Sequence, residues 1–390
     1  MTEYQNFPKV KRNILLNPGP STTTDTVKFA QIIPDICPRE EEFTGVMKEV
    51  REGLVGVAHG NLEEHTCILF SGSGTLNIDA CISSLLPQDK KALIVTNGTY
   101  SDRAIEAINY YGIQYEAVRF KDNEVADPKV IEEVIKKNIE DKSSFKFGYV
   151  YMTHQETGTG IINPLREIGS VAHKYNLPLI ADTTSTFAMI PIDIVKDNVD
   201  VIMASAQKGI MAMSGLTFLI ANRKLIEASK NFPKRSYYCN IYRQYEYFER
   251  TGQMNFTPPV QTIYAARQGI KEYFQEGEIK KWERHQSVMA AIRKGVDELG
   301  FKEYLERTKQ SGLVSTIIYP DDENWNFKKI HDYCFERGFT IYPGTGGHST
   351  SFRLTALGAI NNKDIENFWK VFKEGLEYYH VSIPIKYNNK

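Results

Sequence analysis

Hydrophobic and polar positions alternate along the chain in a repeated pattern. Short apolar runs end in polar or glycine-rich loops, and segments with the spacing of amphipathic helices follow them. Continuous apolar runs are typical of strands buried on both faces. Their repetition with intervening helices predicts an α/β fold with a mainly parallel sheet between helices. The predicted strands lie near 67–71, 91–97, 147–153, 177–182 and 201–208.

The pattern changes after residue 276. A long helical segment, 277–299, is followed by shorter strands near 314–319 and 352–355 and by a last helix near 363–378. This order predicts a second, smaller α+β domain. The expected organisation is an N-terminal segment 1–20, a large domain 21–276 and a small C-terminal domain 277–390.

Composition excludes several classes of function. The 390 residues carry 47 basic and 48 acidic side chains, so a general nucleic-acid or anionic-membrane surface is not expected. Apolar runs have strand length, and no secretory signal is visible, so no membrane partner is expected. The five cysteines and eight histidines are scattered, which predicts reduced thiols, no metal site and a cytoplasmic location.

Lys208 is the only charged residue between Asp200 and Arg223. A buried ammonium is costly, and burial lowers a lysine pKa toward the free amine that attacks carbonyl groups. The alternative is a lysine at a loop tip with its charge in water. The stretch alone leaves both interpretations open.

A Gly/Ser loop, Gly72-Ser-Gly-Thr75, separates a predicted strand from a predicted helix. A helix N-terminus with free N–H groups suits a phosphate, and Ser73 and Thr75 add hydroxyl donors. Asn77 stands where a dinucleotide fingerprint has its third glycine, so a single phosphate is favoured. Simple N-capping by Ser73 or Thr75 is the alternative.

Two further strand ends carry candidate chemistry. Tyr100 follows the strand near 91–97, and Asp182 ends the strand near 177–182. Parallel strands bind ligands at their carboxyl ends. Taken singly, Tyr100 could be a packed aromatic, and Asp182 could cap a turn.

Together the strand ends offer a phosphate loop, an aromatic ring, a carboxylate and a lysine. Pyridoxal 5′-phosphate needs this set: an amine for its aldehyde, an anion facing its ring nitrogen, a cover for its ring and donors for its phosphate. The joint occurrence is more specific than any single motif.

The same strings resemble the class V aminotransferases of the fold-type-I pyridoxal phosphate superfamily, and among them the 2-aminoethylphosphonate:pyruvate aminotransferases. The resemblance covers nearly the whole chain. It is carried by Gly72-Ser-Gly-Thr75, Asn97-Gly-Thr-Tyr100, His154-Gln-Glu-Thr157, Ala181-Asp-Thr-Thr184, Ala206-Gln-Lys208, Asn17-Pro-Gly-Pro20, Phe256-Thr-Pro258 and Phe339-Thr-Ile-Tyr-Pro-Gly344.

The resemblance implies roles around the cofactor. Lys208 would hold it and later shuttle a proton, Asp182 would pair with the ring nitrogen, and Tyr100 would stack on the ring. The remaining cofactor-binding residues implied are Ser73, Gly74, Thr75 and Gln207 at the phosphate with Ser205 nearby, Thr157 near the ring hydroxyl and Thr184 behind the ring.

Substrate and subunit contacts are also implied. Arg353 would grip the acidic group of the substrate, since a planar guanidinium binds a carboxylate or phosphonate bidentately. Asn17 and Gly19 would lie beside the substrate. Thr257 would reach the phosphate of a neighbouring subunit, so the expected assembly is a homodimer with shared active sites. For Arg353, a surface salt bridge is the alternative.

The implied reaction moves the amino group of 2-aminoethylphosphonate to pyruvate and gives phosphonoacetaldehyde and L-alanine. The substrates would be a small amine and a 2-oxo acid. Run in reverse, the reaction would make the aminophosphonate, and the sequence does not fix the direction.

Two departures from the family pattern bear on the substrate. Thr345 stands where some relatives have a lysine, and Arg39 lies in a segment where it could bind a second anion or remain an exposed charge. Alanine–glyoxylate, serine–pyruvate and phosphoserine aminotransferases are therefore alternatives. A cysteine desulfurase is disfavoured, since Gln207 and Tyr100 replace two histidines of those enzymes.

Two alternatives lie outside the aminotransferases. A non-catalytic cofactor-binding or regulatory protein would not need Lys208, Asp182 and Tyr100 together, so their joint presence counts against it. A nicotinamide oxidoreductase is disfavoured by Asn77 in the glycine loop.

Overall fold

The computed structural model of the chain describes residues 10–344 and 350–387. In this part of the chain the helices are α1 (Asp25–Phe29), α2 (Glu41–Val57), α3 (Gly74–Ser84), α4 (Thr99–Tyr110), α5 (Pro128–Glu140), α6 (Leu165–Lys174), α7 (Arg223–Ala228), α8 (Ile241–Thr251), α9 (Val260–Glu276), α10 (Glu278–Leu299), α11 (Phe327–Glu336) and α12 (Asn362–Tyr378). The strands are β1 (Ile14–Leu15), β2 (His65–Ser71), β3 (Lys90–Thr96), β4 (Tyr115–Arg119), β5 (Lys146–Thr153), β6 (Gln155–Glu156), β7 (Ile161–Ile162), β8 (Leu179–Asp182), β9 (Val201–Ser205), β10 (Leu216–Asn222), β11 (Val314–Ile318), β12 (Phe339–Thr340), β13 (Tyr342–Pro343) and β14 (Ser351–Thr355).

A seven-stranded sheet forms the centre of the large part of the molecule, in the order β2-β10-β9-β8-β5-β3-β4. All neighbouring pairs are parallel except the two that β10 makes, with β2 and with β9. The mainly parallel sheet predicted from the apolar runs is therefore confirmed. Since β9 and β10 are joined by the short loop 206–215, without a crossover helix, β10 can only run antiparallel beside β9.

Helices cover both faces of this sheet and create two apolar layers. On one face Phe43 of α2, Ile168 of α6 and Ile263 of α9 are completely buried. On the other face Ile78 of α3 and Ile241 of α8 pack in a separate cluster. Because both faces are covered, strands such as β9 are buried along their whole length, which explains their continuous apolar sequence.

A three-stranded antiparallel sheet, β11-β14-β13, packs with α10, α11 and α12 in the C-terminal part. The predicted α+β character of this part is confirmed. The string Phe339–Gly344 contains two short strands: β12 pairs in parallel with β1, and β13 pairs with β14. The N-terminal strand therefore belongs to the C-terminal part of the structure, while the proposed boundary at 276/277 stays a prediction.

Among the described residues, no helix combines the length and the apolar character needed to cross a membrane.

Candidate active site

A cavity of about 190 Å³ opens at the carboxyl edge of the central sheet. Loops that follow β2, β3, β5, β8 and β9 supply its walls, because the carboxyl ends of these strands meet at one edge. The residues that line it are Ser73, Gly74, Thr75, Ile78, Tyr100, Arg103, Thr153, Gln155, Thr157, Asp182, Thr184, Ser185, Gln207 and Lys208. Nine of these had been singled out from the sequence.

Lys208 lies three residues beyond the end of β9, in a turn that the N-terminal segment holds in place. Its Nζ donates to the carbonyl oxygen of Pro18. Ser21 fastens the same turn twice: its N–H donates to the Gln207 carbonyl at 2.9 Å, and its Oγ donates to the Lys208 carbonyl at 2.9 Å. Burial lowers the pKa of the Lys208 amine to about 8, although the charge of Asp182 opposes this shift.

Asp182 occupies the last position of β8 and points into the same cavity. Its Oδ1 accepts the N–H of Thr184 at 2.9 Å. Desolvation raises the pKa of this carboxyl group, and the hydrogen bonds of Thr184 and the positive charges of Lys208 and Arg103 act in the opposite direction. A carboxylate in this position can face one cation inside the cavity.

The Gly/Ser loop leads directly into α3, as the sequence predicted. Ser73 occupies the N-cap position, yet its side chain makes no capping hydrogen bond, so the N-capping interpretation is wrong for Ser73. A Cβ built on Gly74 would lie 3.1 Å from Thr184 Cγ2 and 3.6 Å from Ser205 Oγ, so this loop passes closely over its neighbours. The helix N-terminus and the hydroxyl of Ser73 therefore face the cavity as free donors.

Tyr100 is the second residue of α4, and its ring lines the cavity. The guanidinium of Arg103 lies 4.3 Å from the centre of that ring. This cation–π contact holds the ring from one side. Arg103 was missed in the sequence, although its position three residues after Tyr100 on a helix was a usable signal.

Arg353 lies on β14 and is only 1% exposed. Its Nη1 donates to the Thr157 carbonyl at 3.2 Å, and its Nη2 donates to the Pro343 carbonyl at 3.0 Å. Its buried Nε has no hydrogen-bond partner in residues 10–344 and 350–387. The alternative of a surface salt bridge is therefore wrong, since the charge of Arg353 is buried. Not all N–H groups of its guanidinium are hydrogen-bonded to the protein. Its proximity also contributes to the lowered pKa of Lys208.

A family model described as aminotransferase class V matches residues 30–358. The chain belongs to the class V aminotransferase family.

Curated relatives of this class V aminotransferase carry more specific names. The 2-aminoethylphosphonate–pyruvate transaminase of Bacteroides fragilis is 32% identical over 94% of this chain and 99% of the relative. That of Salmonella typhimurium is 33% identical over 90% and 94%. A bifunctional phosphonoacetaldehyde hydrolase/aminoethylphosphonate transaminase of Clostridioides difficile is 32% identical over 93% of this chain, and the chain spans 56% of that relative's length.

Solved structures confirm the fold of the class V aminotransferase. Ureidoglycine–glyoxylate aminotransferase from Bacillus subtilis superposes with a TM-score of 0.86, at 22% identity, over 97% of this chain and 96% of that chain. Alanine–glyoxylate aminotransferase from Nostoc sp. gives a TM-score of 0.85, at 20% identity, over 95% and 97%. At these identities the likeness establishes the fold only.

Gln155 is a cavity residue that the sequence analysis did not select. It is completely buried, and neither its Oε1 nor its Nε2 has a hydrogen-bond partner in the described structure. An unpaired buried amide is costly, so its free donor and acceptor indicate a polar ligand in the cavity. Its position inside the string His154–Thr157 was the signal that could have identified it.

Asn17 and Gly19 approach the cavity from the N-terminal segment. The Asn17 carbonyl accepts Thr355 Oγ1 at 2.9 Å, which places this segment beside β14. The Asn17 side chain is itself used within the turn, since its Nδ2 donates to the Pro20 carbonyl at 3.2 Å. A Cβ built on Gly19 would overlap the side chain of Lys208.

Two selected residues lie away from the cavity of this chain, and Arg353, Asn17 and Gly19 are not among the residues that line it. Thr257 is exposed and does not line this chain's cavity. Arg39 is also outside it: its Nη1 donates to the Met254 carbonyl at 2.6 Å, which ties the segment before α2 to the loop before α9. Arg39 therefore does not line the cavity of its own chain, and its role as a second anion ligand stays a prediction. Thr345 lies outside the described residues.

Proposed function

We propose that this class V aminotransferase uses pyridoxal 5′-phosphate to transfer the amino group of 2-aminoethylphosphonate to pyruvate, giving phosphonoacetaldehyde and L-alanine. The observation that carries the proposal is one cavity lined by both Lys208 and Asp182. The buried guanidinium of Arg353 is bonded to the carbonyl of Thr157, another residue of the cavity wall, and its charge acts on Lys208. Relatives with this activity in their names match more than nine-tenths of the chain, which supports the choice of substrates.

The residues of the cavity fit the cofactor. Buried polar atoms without protein partners, Ser205 Oγ and Gln207 Oε1, lie beside the N-terminus of α3, where a phosphate group would use them together with Ser73 and Thr75. Asp182 lies at the strand end where it would face the ring nitrogen. When bound, the cofactor supplies a ring that accepts the electrons released as a substrate C–H bond breaks.

The ring itself would be held between two side chains. Tyr100 would cover one face, and Thr184 would lie against the other, since Thr184 packs under the Gly74 loop. Thr157 would lie near the ring hydroxyl, and its Oγ1 donates to Ser185 Oγ at 3.0 Å. Aromatic stacking and these short polar contacts orient the ring for proton transfer.

Lys208 would anchor the cofactor at its aldehyde carbon and then move a proton at the substrate carbon. A pKa of about 8 leaves roughly a tenth of the amines neutral at pH 7, compared with less than a thousandth for an ordinary lysine. The carbonyl of Pro18 holds the Nζ at one side of the cavity. The amine is therefore available as a base without a large conformational change.

Arg353 would bind the acidic group of each substrate in turn. The phosphonate of the amine donor and the carboxylate of pyruvate are both anions that can present two oxygens to a guanidinium fork. Its Nε, which has no partner among the described residues, is one donor available to such an anion. Asn17 and Gly19 would form the wall beside the bound substrate.

We further propose a homodimer in which Thr257 of each chain completes the phosphate site of the other. Its exposure and its contact with the phosphate-loop strand, where Ser71 Oγ donates to the Thr257 carbonyl at 3.3 Å, support this arrangement. The nearby rings of Tyr237 and Tyr238 are exposed and pack on Phe256, as aromatic residues at subunit interfaces do.

Free thiols at all five cysteines support a cytoplasmic location.

The test is a single-substrate reaction. Purified protein loaded with cofactor is mixed with 2-aminoethylphosphonate alone, with phosphoserine alone and with serine alone, and the loss of the visible absorbance band is followed. We expect the phosphonate to react fastest by at least about tenfold. A fast reaction with phosphoserine or serine and none with the phosphonate would overturn the substrate assignment.

The cofactor assignment has a separate test. Lys208→Ala should lose the visible band and the activity, whereas Lys136→Ala, an exposed lysine on α5, should keep both. An unchanged spectrum in Lys208→Ala would contradict the role of Lys208 as the cofactor anchor.

A further inference from the structure

Glu156 is a completely buried carboxylate that the proposed chemistry does not use. It ends β6, next to Gln155, and no cation of the described residues forms an ion pair with it. Instead it accepts from Tyr100 N at 3.1 Å, from Ser101 N at 3.0 Å, from Ser101 Oγ at 3.1 Å and from Gly158 N at 3.1 Å.

The three backbone N–H contacts favour the ionised form of Glu156. Burial raises the pKa of its carboxyl group, but every partner is a donor, and a carboxylate accepts at all of its lone pairs. The free N–H groups at the start of α4 compensate the charge, as the positive end of a helix does. Neutralising the side chain would leave some of these donors buried and unpaired, which is costly.

The contact with α4 is also sterically tight. A Cβ built on Gly98 would lie 2.6 Å from Glu156 Cγ and 2.7 Å from Cδ, so the residue before the helix is in direct contact with the carboxylate arm. Tyr100 follows two positions later, within the first turn of the helix. The position of its backbone is therefore set by Glu156.

The turn after Glu156 reaches the other side of the cavity. The carbonyl of Thr157 accepts Arg353 Nη1 at 3.2 Å. The carbonyl of Gly158 accepts Thr316 Oγ1 from β11 at 3.3 Å. The short segment 156–158 thus contacts both α4, which carries Tyr100, and Arg353, which is proposed to bind the substrate.

We propose that Glu156 is a positioning residue that holds Tyr100 against the cofactor ring and keeps it at a fixed offset from Arg353. The identity of the ring and of the substrate anion rests on the proposed function. The placement of the Tyr100 backbone by Glu156 does not rest on the proposed function. The positioning role and the proposed function can therefore be tested separately.

The first experiment needs no cofactor. Amide hydrogen exchange of the cofactor-free protein is followed in the peptide 97–105 for the wild type and for Glu156→Gln, which keeps the shape but removes the charge. We expect the Tyr100 and Ser101 amides to exchange at least about tenfold faster in the variant, since bonds to a charged acceptor are lost. Unchanged exchange there would overturn the proposal.

A matched control separates positioning from general loss of stability. Glu303 is a second nearly buried carboxylate, with a side chain 6% exposed. It accepts Ser315 Oγ at 2.7 Å, forms ion pairs with Arg293 and Arg307, and does not line the cavity. Glu303→Gln should lower the unfolding midpoint without faster exchange in 97–105. If it accelerates exchange there as much as Glu156→Gln does, the effect is global and the proposal fails.

The second experiment measures cofactor affinity by titration of the visible band in a double-mutant cycle. Glu156→Gln should weaken binding about tenfold in the wild-type background but less than about threefold in a Tyr100→Ala background, because its effect passes through that ring. Equal losses in both backgrounds would show that Glu156 acts elsewhere.

A further variant keeps the proposal testable if Glu156→Gln does not fold. Ser101→Ala removes one donor of the network, the hydroxyl, and leaves the carboxylate in place. It should weaken cofactor binding about threefold, again only when Tyr100 is present. If the wild type binds no cofactor at all, the proposed function fails, and the amide exchange of Ser101→Ala still decides the role of Glu156.

Discussion

Gly19 lies so close to Lys208 that the lysine side chain occupies the space where any other residue would carry its Cβ. The backbone of Gly19 also has a φ of 132°, which favours glycine. A glycine more than 180 positions away in sequence therefore shapes the path of the amine, and the neighbouring Pro18 accepts its hydrogen bond.

Gly19→Ala should displace the Lys208 amine. We expect kcat/KM to fall by at least about 100-fold, because a shift of about an ångström at a reacting group has an effect of this size. Gly112→Ala is the matched control, since Gly112 also has a positive φ of 61° but has open space around its Cβ position. The control should lose roughly 1 kcal/mol of stability and keep its activity. Equal activity in the two variants would contradict the contact described here.

Arg353→Lys should weaken substrate binding without weakening the cofactor. A lysine keeps the charge but loses the planar fork, so KM for both substrates should rise by about ten- to 100-fold. The fold-change in KM and the cofactor dissociation constant are measured side by side. Arg307→Lys, in an exposed ion pair with Asp297, serves as the control and should change neither. If the variant binds the cofactor more weakly but its KM values do not change, Arg353 contacts the cofactor and not the substrate, which contradicts the proposal.

Thr257→Ala should weaken cofactor binding although Thr257 lies outside its own chain's cavity. Loss of one hydroxyl donor to a phosphate predicts a decrease of about fivefold to tenfold. Wild-type affinity should fall similarly when the protein is diluted until the dimer dissociates, and the variant should be less sensitive to dilution. Thr308→Ala, at an exposed position, should behave as the wild type. Affinity that is independent of both protein concentration and Thr257 would contradict a shared site.

Stability should fall in weak acid because of His154. This residue is buried beside Thr186, with Nδ1 and Oγ1 2.9 Å apart, and burial lowers its pKa to about 4. Between pH 6.5 and 4 the unfolded chain binds the proton more readily than the folded chain, so the free energy of unfolding decreases as pH falls. Between pH 7 and 4.5, the free energy of unfolding of His154→Gln should decrease by on the order of 2–3 kcal/mol less than that of the wild type.

His173 provides the control, because its effect on stability in acid is opposite to that of His154. His173 donates to Asp200 at 2.8 Å, which raises its pKa, so its contribution is present at low pH and is lost as pH rises. His173→Gln should therefore increase the loss of stability in acid. Denaturant midpoints at the two pH values give both results. If both variants change the acid-induced loss of stability in the same direction, the opposite pKa shifts of His154 and His173 are wrong.

The sequence allowed most of the cavity to be predicted because parallel strands place their ends at one edge. Asp182 and Lys208 are far apart in the chain but meet for that reason alone. The fold class followed from the same repetition. By contrast, the antiparallel direction of β10 depends on the length of the loop after Lys208, which the apolar pattern does not encode.

Side chains that reach the cavity from other directions were harder to predict. Arg103 comes from a helix, and Gln155 stands one position from Glu156, which points away from the cavity into α4. Which of two neighbours faces a cavity depends on the local path of a two-residue strand, and no periodicity is measurable over two residues. The aromatic segment at Tyr237 is a further example, since its sequence is compatible with a subunit interface, a phosphate edge or an ordinary core, and its ring is exposed in the structure.

The pairing of β1 with β12 has a consequence for synthesis. Asn17 and Thr355, which share a hydrogen bond beside the cavity, are 338 positions apart. A chain growing on the ribosome therefore exposes Lys208 long before Arg353 has been made, and β1 has no partner strand until residues 339–340 emerge. Because such distant contacts form late, the proposed site would stay incomplete in the nascent protein. Amino-group transfer can begin only after nearly the whole chain has been translated.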